Sequence, residues 1–104
     1  MKFAIPGKAR LVQGSFGFAP PAYVLGKGTE GAEFRIEEER ADGSPRVLFS
    51  QALRPRTNPA DRGMKTFSVA CPETGTGRLI FRTVPLGEKV TALDVTCWGD
   101  IRFR

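Results

Sequence analysis

From Ala32 the chain alternates apolar and charged residues one for one. Ala32, Phe34 and Ile36 fall on one side of an extended backbone, with Glu33, Arg35 and Glu37 on the other. A period of two predicts a half-buried strand over residues 32–40. The same period returns further along. Lys65 to Cys71 places Phe67, Val69 and Cys71 on one face, and Arg78 to Val84 sets Leu79 and Phe81 against Ile80, Arg82 and Val84. Val90 to Trp98 puts Leu93, Val95 and Cys97 inward and Asp94, Thr96 and Trp98 outward, and after Gly99-Asp100 the closing Ile101 and Phe103 return to the core.

Turn residues separate these stretches. Ala-Asp-Gly-Ser-Pro at 41–45 reads as a hairpin connection into a strand from Val47 to Leu53. Pro72 ends one strand, and Glu-Thr-Gly-Thr-Gly at 73–77 and Pro-Leu-Gly-Glu-Lys at 85–89 supply two more turns. Residues 2–13 predict an edge strand with a turn at Pro6-Gly7. Residues 14–25 mix Phe16, Phe18, Tyr23 and Val24 with Gly17 and Pro20-Pro21, so a strand there is broken or lies at a sheet edge. The glycines of 26–31 lack the Lys-Ser/Thr ending of a phosphate-binding loop and no helix follows, which leaves a plain connection. No stretch of ten residues carries helical periodicity. The pattern predicts an all-β sandwich or barrel of seven to eight mainly antiparallel strands.

Composition sharpens that picture. With 104 residues the chain has room for one core and so for one domain, residues 1–104, and its 12 glycines and 8 prolines suit many turns. The net charge of +5 is uneven, with seven basic and six acidic residues in positions 1–52 against nine and five in 53–104. No Lys/Arg run accompanies that excess, so nucleic acid is an unlikely partner on this reading. Histidine is absent, which removes the commonest general base and metal ligand, and Ser50, Ser68 and Cys71 have nothing to activate them. The expectation is a protein that is not an enzyme and takes no cofactor or metal. Cys71 and Cys97 share inward parity and are read as buried thiols, with a bond between them only if the chain is exported. No apolar run approaches a membrane span or a signal peptide, so the chain reads as soluble and cytoplasmic, or extracellular if cut from a larger exported protein.

The candidate chemistry gathers between Val47 and Met64. Here a strand runs into a loop where Pro55 and Pro59 impose extended or turn geometry and Arg54, Arg56, Asp61 and Arg62 crowd together. This loop is either an internally paired corner or a surface for an anionic or polyhydroxyl ligand. Trp98 is either a core anchor or a stacking platform for a sugar ring.

A resemblance bears on that choice. The succession TEGAEFRIEEE, LFSQALRP, NPADRGM, GRLIFRTVPLG and LDVTCWGDIRF, over roughly residues 28–104, resembles the galactose-binding-domain-like jelly rolls of bacterial proteins. Within them it is similar to carbohydrate-binding modules found beside glycosidases. The resemblance implies a jelly-roll sandwich that binds carbohydrate. It matches Asp94, Trp98 and Arg102 to the end of the family pattern, and Asp61-Arg62-Gly63 to a corner before a middle strand. Met64 departs from the pattern, which commonly has tryptophan there, and the N-terminal part has no acidic cluster for calcium. The reading is a non-catalytic binding module for carbohydrate or another small polar ligand, with Arg54, Arg56, Asp61, Arg62, Asp94 and Trp98 as ligand-binding residues. The alternative is a structural or self-assembling interaction domain, a possible homo-oligomer, with exposed Ile80 and Val84 as its signature.

Overall fold

A computed structural model describes residues 1–18, 31–55, 58–72, 77–86 and 96–104. Seven strands are described: β1 Lys2–Ala4, β2 Leu11–Phe18, β3 Ala32–Glu39, β4 Pro45–Leu53, β5 Met64–Ala70, β6 Arg78–Pro85 and β7 Thr96–Phe103, with a 3-10 turn at Pro59–Asp61. They form two antiparallel sheets in the orders β1-β6-β3-β4 and β5-β2-β7. The protein is an all-β sandwich. The turns expected at 73–77 and 85–89, the Gly-rich connection at 26–31 and the strand start at 90–95 lie wholly or largely outside the described residues.

Alternation explains most of the core. Phe34 and Ile36 of β3, Leu79 and Phe81 of β6, Phe67 of β5 and Val12, Phe16 and Phe18 of β2 are buried between the sheets. Phe16 sits at the centre, its ring 5.0 Å from Phe34, 5.5 Å from Phe49, 6.3 Å from Phe67 and 5.7 Å from Trp98. All eight phenylalanines and the single tryptophan belong to this core or pack against it.

The edge position expected for residues 14–25 is corrected at its first strand: β2 is the central strand of its sheet. Its glycines permit close approach and do not break it. A Cβ at Gly14 would lie 2.9 Å from the Phe67 ring and 2.9 Å from the Gly99 carbonyl, so the ring opposite fills the missing side chain's place.

Two single-residue bulges reset the alternation. On β4 the register steps from Phe49 opposite Ile36 to Val47 opposite Glu37, which leaves Leu48 as the extra residue. On β7 it steps from Gly99 opposite Ser15 to Arg102 opposite Gln13, an extra residue carried by Asp100 at φ 51°. Aspartate tolerates this left-handed backbone better than most residues. The bulge turns Trp98 inward together with Ile101 and Phe103, and leaves Cys97 exposed. The inward parity read for Cys97 from unbroken alternation is therefore corrected. Cys71 is buried, and both thiols are free.

Candidate ligand-binding surface

The arginine-rich corner is tied to its own backbone. Pro55 is fully buried, and Asn58 caps the 3-10 turn by accepting from the Ala60 amide at 3.2 Å. The Asp61 carboxylate accepts from the Arg54 amide at 2.9 Å. Arg62 Nε donates to the Pro55 carbonyl at 2.7 Å, and Lys65 Nζ donates to the Ala60 carbonyl. Asp61 and Arg62 thus both reach back across the loop, and this is what gives a Pro-rich connection a fixed shape. Arg54 and Arg62 remain exposed along its outside.

Trp98 lies elsewhere. Its indole packs between the sheets, 5.0 Å from Phe81, 5.5 Å from Phe34 and 5.6 Å from Phe67, and its Nε1 donates to Thr83 Oγ1 at 3.1 Å. The structure therefore does not bring the tryptophan ring and the corner arginines together on one surface. Arg56 and Asp94 lie outside the described residues.

The two outer faces of the sandwich differ in chemistry. On the four-stranded sheet, neighbouring strands set Arg35 opposite Arg82 and Glu37 opposite Ile80. Arg82 Nε bonds Glu37 at 2.5 Å, Arg35 bonds Glu33 and approaches Glu37, and Glu39 takes Lys2 at 2.9 Å and Arg78 at 3.7 Å. The Lys2 ammonium bonded to Glu39, with Arg78 beside it, holds that carboxyl below its ordinary range. This face is a ribbon of mutually satisfied charges. Ile80 and Val84 are half-buried on it.

The acidic run of β3 divides between the two faces. Glu37, 3% exposed, belongs to the ion-paired ribbon, whereas Glu38, 5% exposed, follows Ala32, Phe34 and Ile36 onto the core side. Its Oε2 has no hydrogen-bond partner. Three glutamates in a row read from sequence as a solvated strand end facing nearby arginines; the structure instead buries two of these carboxylates, Glu37 ion-paired and Glu38 with an unpartnered oxygen.

Among the described residues, the outer face of the three-stranded sheet has no such ribbon. Register places Thr66, Ser15 and Gly99 in one row and Ser68, Gln13 and Arg102 in the next. Gln13 Nε2 donates to Ser68 Oγ at 3.3 Å and Ser15 Oγ donates to the Gly99 carbonyl at 3.2 Å. One end of the face is bounded by Met64, Gly17 and Cys97, where the arginine corner enters β5, and the other by Ala70, Leu11 and Arg104. Gln13, Ser15, Thr66 and Ser68 were missed from sequence because their short polar side chains carry no charge; Arg102 is the one charged side chain in these two rows. The signal was present in Val12-Gln13-Gly14-Ser15-Phe16-Gly17-Phe18, an alternation in which Val12, Phe16 and Phe18 point inward and Gln13 and Ser15 outward, with Gly14 taking an inward position and Gly17 an outward one.

No protein-family model, curated protein or solved structure matches this chain. Among the described residues no three Cys, Asp or Glu side chains gather as metal ligands, and no helix is long and apolar enough to cross a membrane.

Proposed function

We propose that the protein is a non-catalytic binding module that takes carbohydrate or another polar ligand on the outer face of its three-stranded sheet. The observation that carries this reading is the difference between the two outer faces. Charges on the β1-β6-β3-β4 side satisfy one another, while the β5-β2-β7 side offers a row of hydroxyls and an amide, Thr66, Ser15, Ser68 and Gln13, without an ion-paired cover. Short hydroxyl and amide side chains on a sheet form a level surface whose donors and acceptors match sugar hydroxyls. The arginine corner adjoins this face through Gly63 and Met64, so Arg54 and Arg62 flank one end of the ligand path. The jelly-roll likeness supports the reading by analogy: among the described strands, successive members other than β3 and β4 belong to different sheets. Ser15 and Ser68 act here as hydrogen-bonding groups, since neither is bonded to a base that would make it a nucleophile.

The test is retention of the folded protein on a panel of immobilised neutral and acidic polysaccharides. Binding that falls in the double variant Gln13→Ala/Ser68→Ala, with unchanged melting temperature, supports the reading; a panel without a single binder refutes it. A second reading, self-assembly, is favoured by β4, a nine-residue edge strand on which Val47 is 52% exposed. Light scattering showing a dimer that Val47→Lys dissolves would place assembly first.

A further inference from the structure

We infer that the ligand of this face is an anionic polysaccharide, one carrying carboxylate or sulfate groups along its length; the inference rests on the binding-module reading above. Two independent observations lead to it. The first is where the aromatic residues have gone. A neutral sugar is commonly held by stacking its C–H face on an aromatic ring, and single-stranded nucleic acid by stacking its bases. All eight phenylalanines and Trp98 are committed to the core, and among the described residues none is left as a platform. The described residues of this face offer hydrogen bonds and charge for affinity.

The second observation is which charges are spare. Arg102 is exposed on the outward side of β7 and Arg104, also exposed, directly follows the strand's last residue, about 7 Å away by strand geometry, while Ile101 and Phe103 pack against the core. The Arg10 amide bonds the Arg104 carbonyl at 2.7 Å, bringing a third arginine to the same end of the sheet, and Lys8 lies two residues earlier in the turn. No ion pair or side-chain hydrogen bond engages Lys8, Arg10, Arg102 or Arg104 among the described residues. This contrasts with Lys2, Arg35, Arg78 and Arg82, each held by a glutamate on the opposite side of the molecule. Asp100 is the single carboxylate of β7 and sits at the bulge.

The combination suits an acidic saccharide chain. Guanidinium groups two residues apart can each take a carboxylate or sulfate in bidentate fashion, while Gln13 and Ser68, in register with Arg102, bond the hydroxyls between them. A nucleic-acid duplex would use the arginines but leave the hydroxyl rows idle.

The experiment compares polygalacturonate with its fully methyl-esterified form, which keeps the sugar backbone and removes only the charge, with a 20-base-pair DNA duplex as a third ligand. Titration calorimetry is run on the wild-type chain, on Arg102→Gln/Arg104→Gln and on Arg40→Gln/Arg46→Gln. The last variant makes the same change in net charge at the β3–β4 hairpin. The expected result is binding of polygalacturonate that weakens at least tenfold on esterification and about tenfold or more in the β7 variant. The hairpin variant is expected to stay near wild type, and affinity to fall as salt rises. Equal binding of the esterified polymer overturns the anionic class while leaving the binding-module reading intact. Failure to bind either polymer overturns the inference, and the binding-module reading is then decided by the polysaccharide panel. Equal weakening by the hairpin variant, or tighter binding of the duplex, overturns the inference in favour of non-specific charge or of nucleic acid.

Discussion

Glu37 and Glu38 are neighbours in sequence, almost equally buried, and should respond to the same substitution with opposite signs. Glu38 presents its carboxyl to the core side of β3 in line with Ile36, and its Oε2 is unpartnered. An unmet buried polar group costs about 1–3 kcal/mol, and apolar replacement of a buried charge at similar volume is often stabilising. Glu38→Met, which keeps the length of the side chain, is therefore expected to stabilise by about 1–3 kcal/mol, or roughly 4–12 °C in melting temperature for a chain of this size. Glu37 instead loses a charge-assisted bond to Arg82. That guanidinium is 51% exposed and rehydrates when released, so Glu37→Met is expected to destabilise by only about 1–2 kcal/mol after discounting for solvent. Urea melts of both variants provide the readout, with unchanged m-values required for a comparison of native-state energies. Destabilisation by Glu38→Met as large as that by Glu37→Met would refute the reasoning, because Oε2 would then have to be making a bond of value.

Four further outcomes follow. Gly14→Ala should destabilise by about 1–3 kcal/mol because its Cβ meets the Phe67 ring at 2.9 Å. Gly17→Ala should cost more, since φ is +154° and the new Cβ would lie 2.5 Å from the Gly63 carbonyl; equal melts for wild type and Gly17→Ala would contradict this. With a thiol reagent at neutral pH, Cys97 should label in the native protein and Cys71 only after unfolding, since burial both shields Cys71 and pushes its thiol up. Rapid labelling of two thiols in folded protein would count against that placement. Glu39, lowered by Lys2, contributes stability above its ordinary carboxylate range that is lost as pH falls through its folded value. Lys2→Met should move its NMR titration midpoint upward.

Much of the sandwich was legible because alternation is a direct imprint of a two-faced sheet. Phe34/Ile36, Leu79/Phe81 and Phe67/Val69 take the inward sides that their spacing implied, and the 41–45 turn joins β3 to β4 as its residues required. The wrong parity at Cys97 and Trp98 has one physical cause. A bulge adds one residue, and one residue inverts every side chain beyond it. Unbroken alternation read over Val90 to Trp98 put Cys97 inside and Trp98 outside, whereas the bulge at left-handed Asp100 sets Trp98 inward together with Ile101 and Phe103 and leaves Cys97 exposed. Glycine misled in a second way: in β2 it marks where rings and carbonyls approach, not where the strand stops. Glu38 was hidden by composition, since three glutamates in a row read as solvated unless the alternation of Ala32, Phe34 and Ile36 is carried one step further. The candidate surface was least legible, because the arginine corner advertises its charge while using much of it on its own backbone, and Gln13, Ser15, Thr66 and Ser68 advertise nothing.

The central claim is that ligand lands on the outer face of the three-stranded sheet. Its most direct test is to follow backbone amide resonances while polygalacturonate oligosaccharide is added to the folded, isotopically labelled protein. The account predicts saturable shifts at Gln13, Ser15, Thr66, Ser68, Arg102 and Arg104, with the ion-paired strand Glu33 to Glu39 unmoved. Shifts confined to β3 and β6, or to the corner from Arg54 to Arg62, would contradict it.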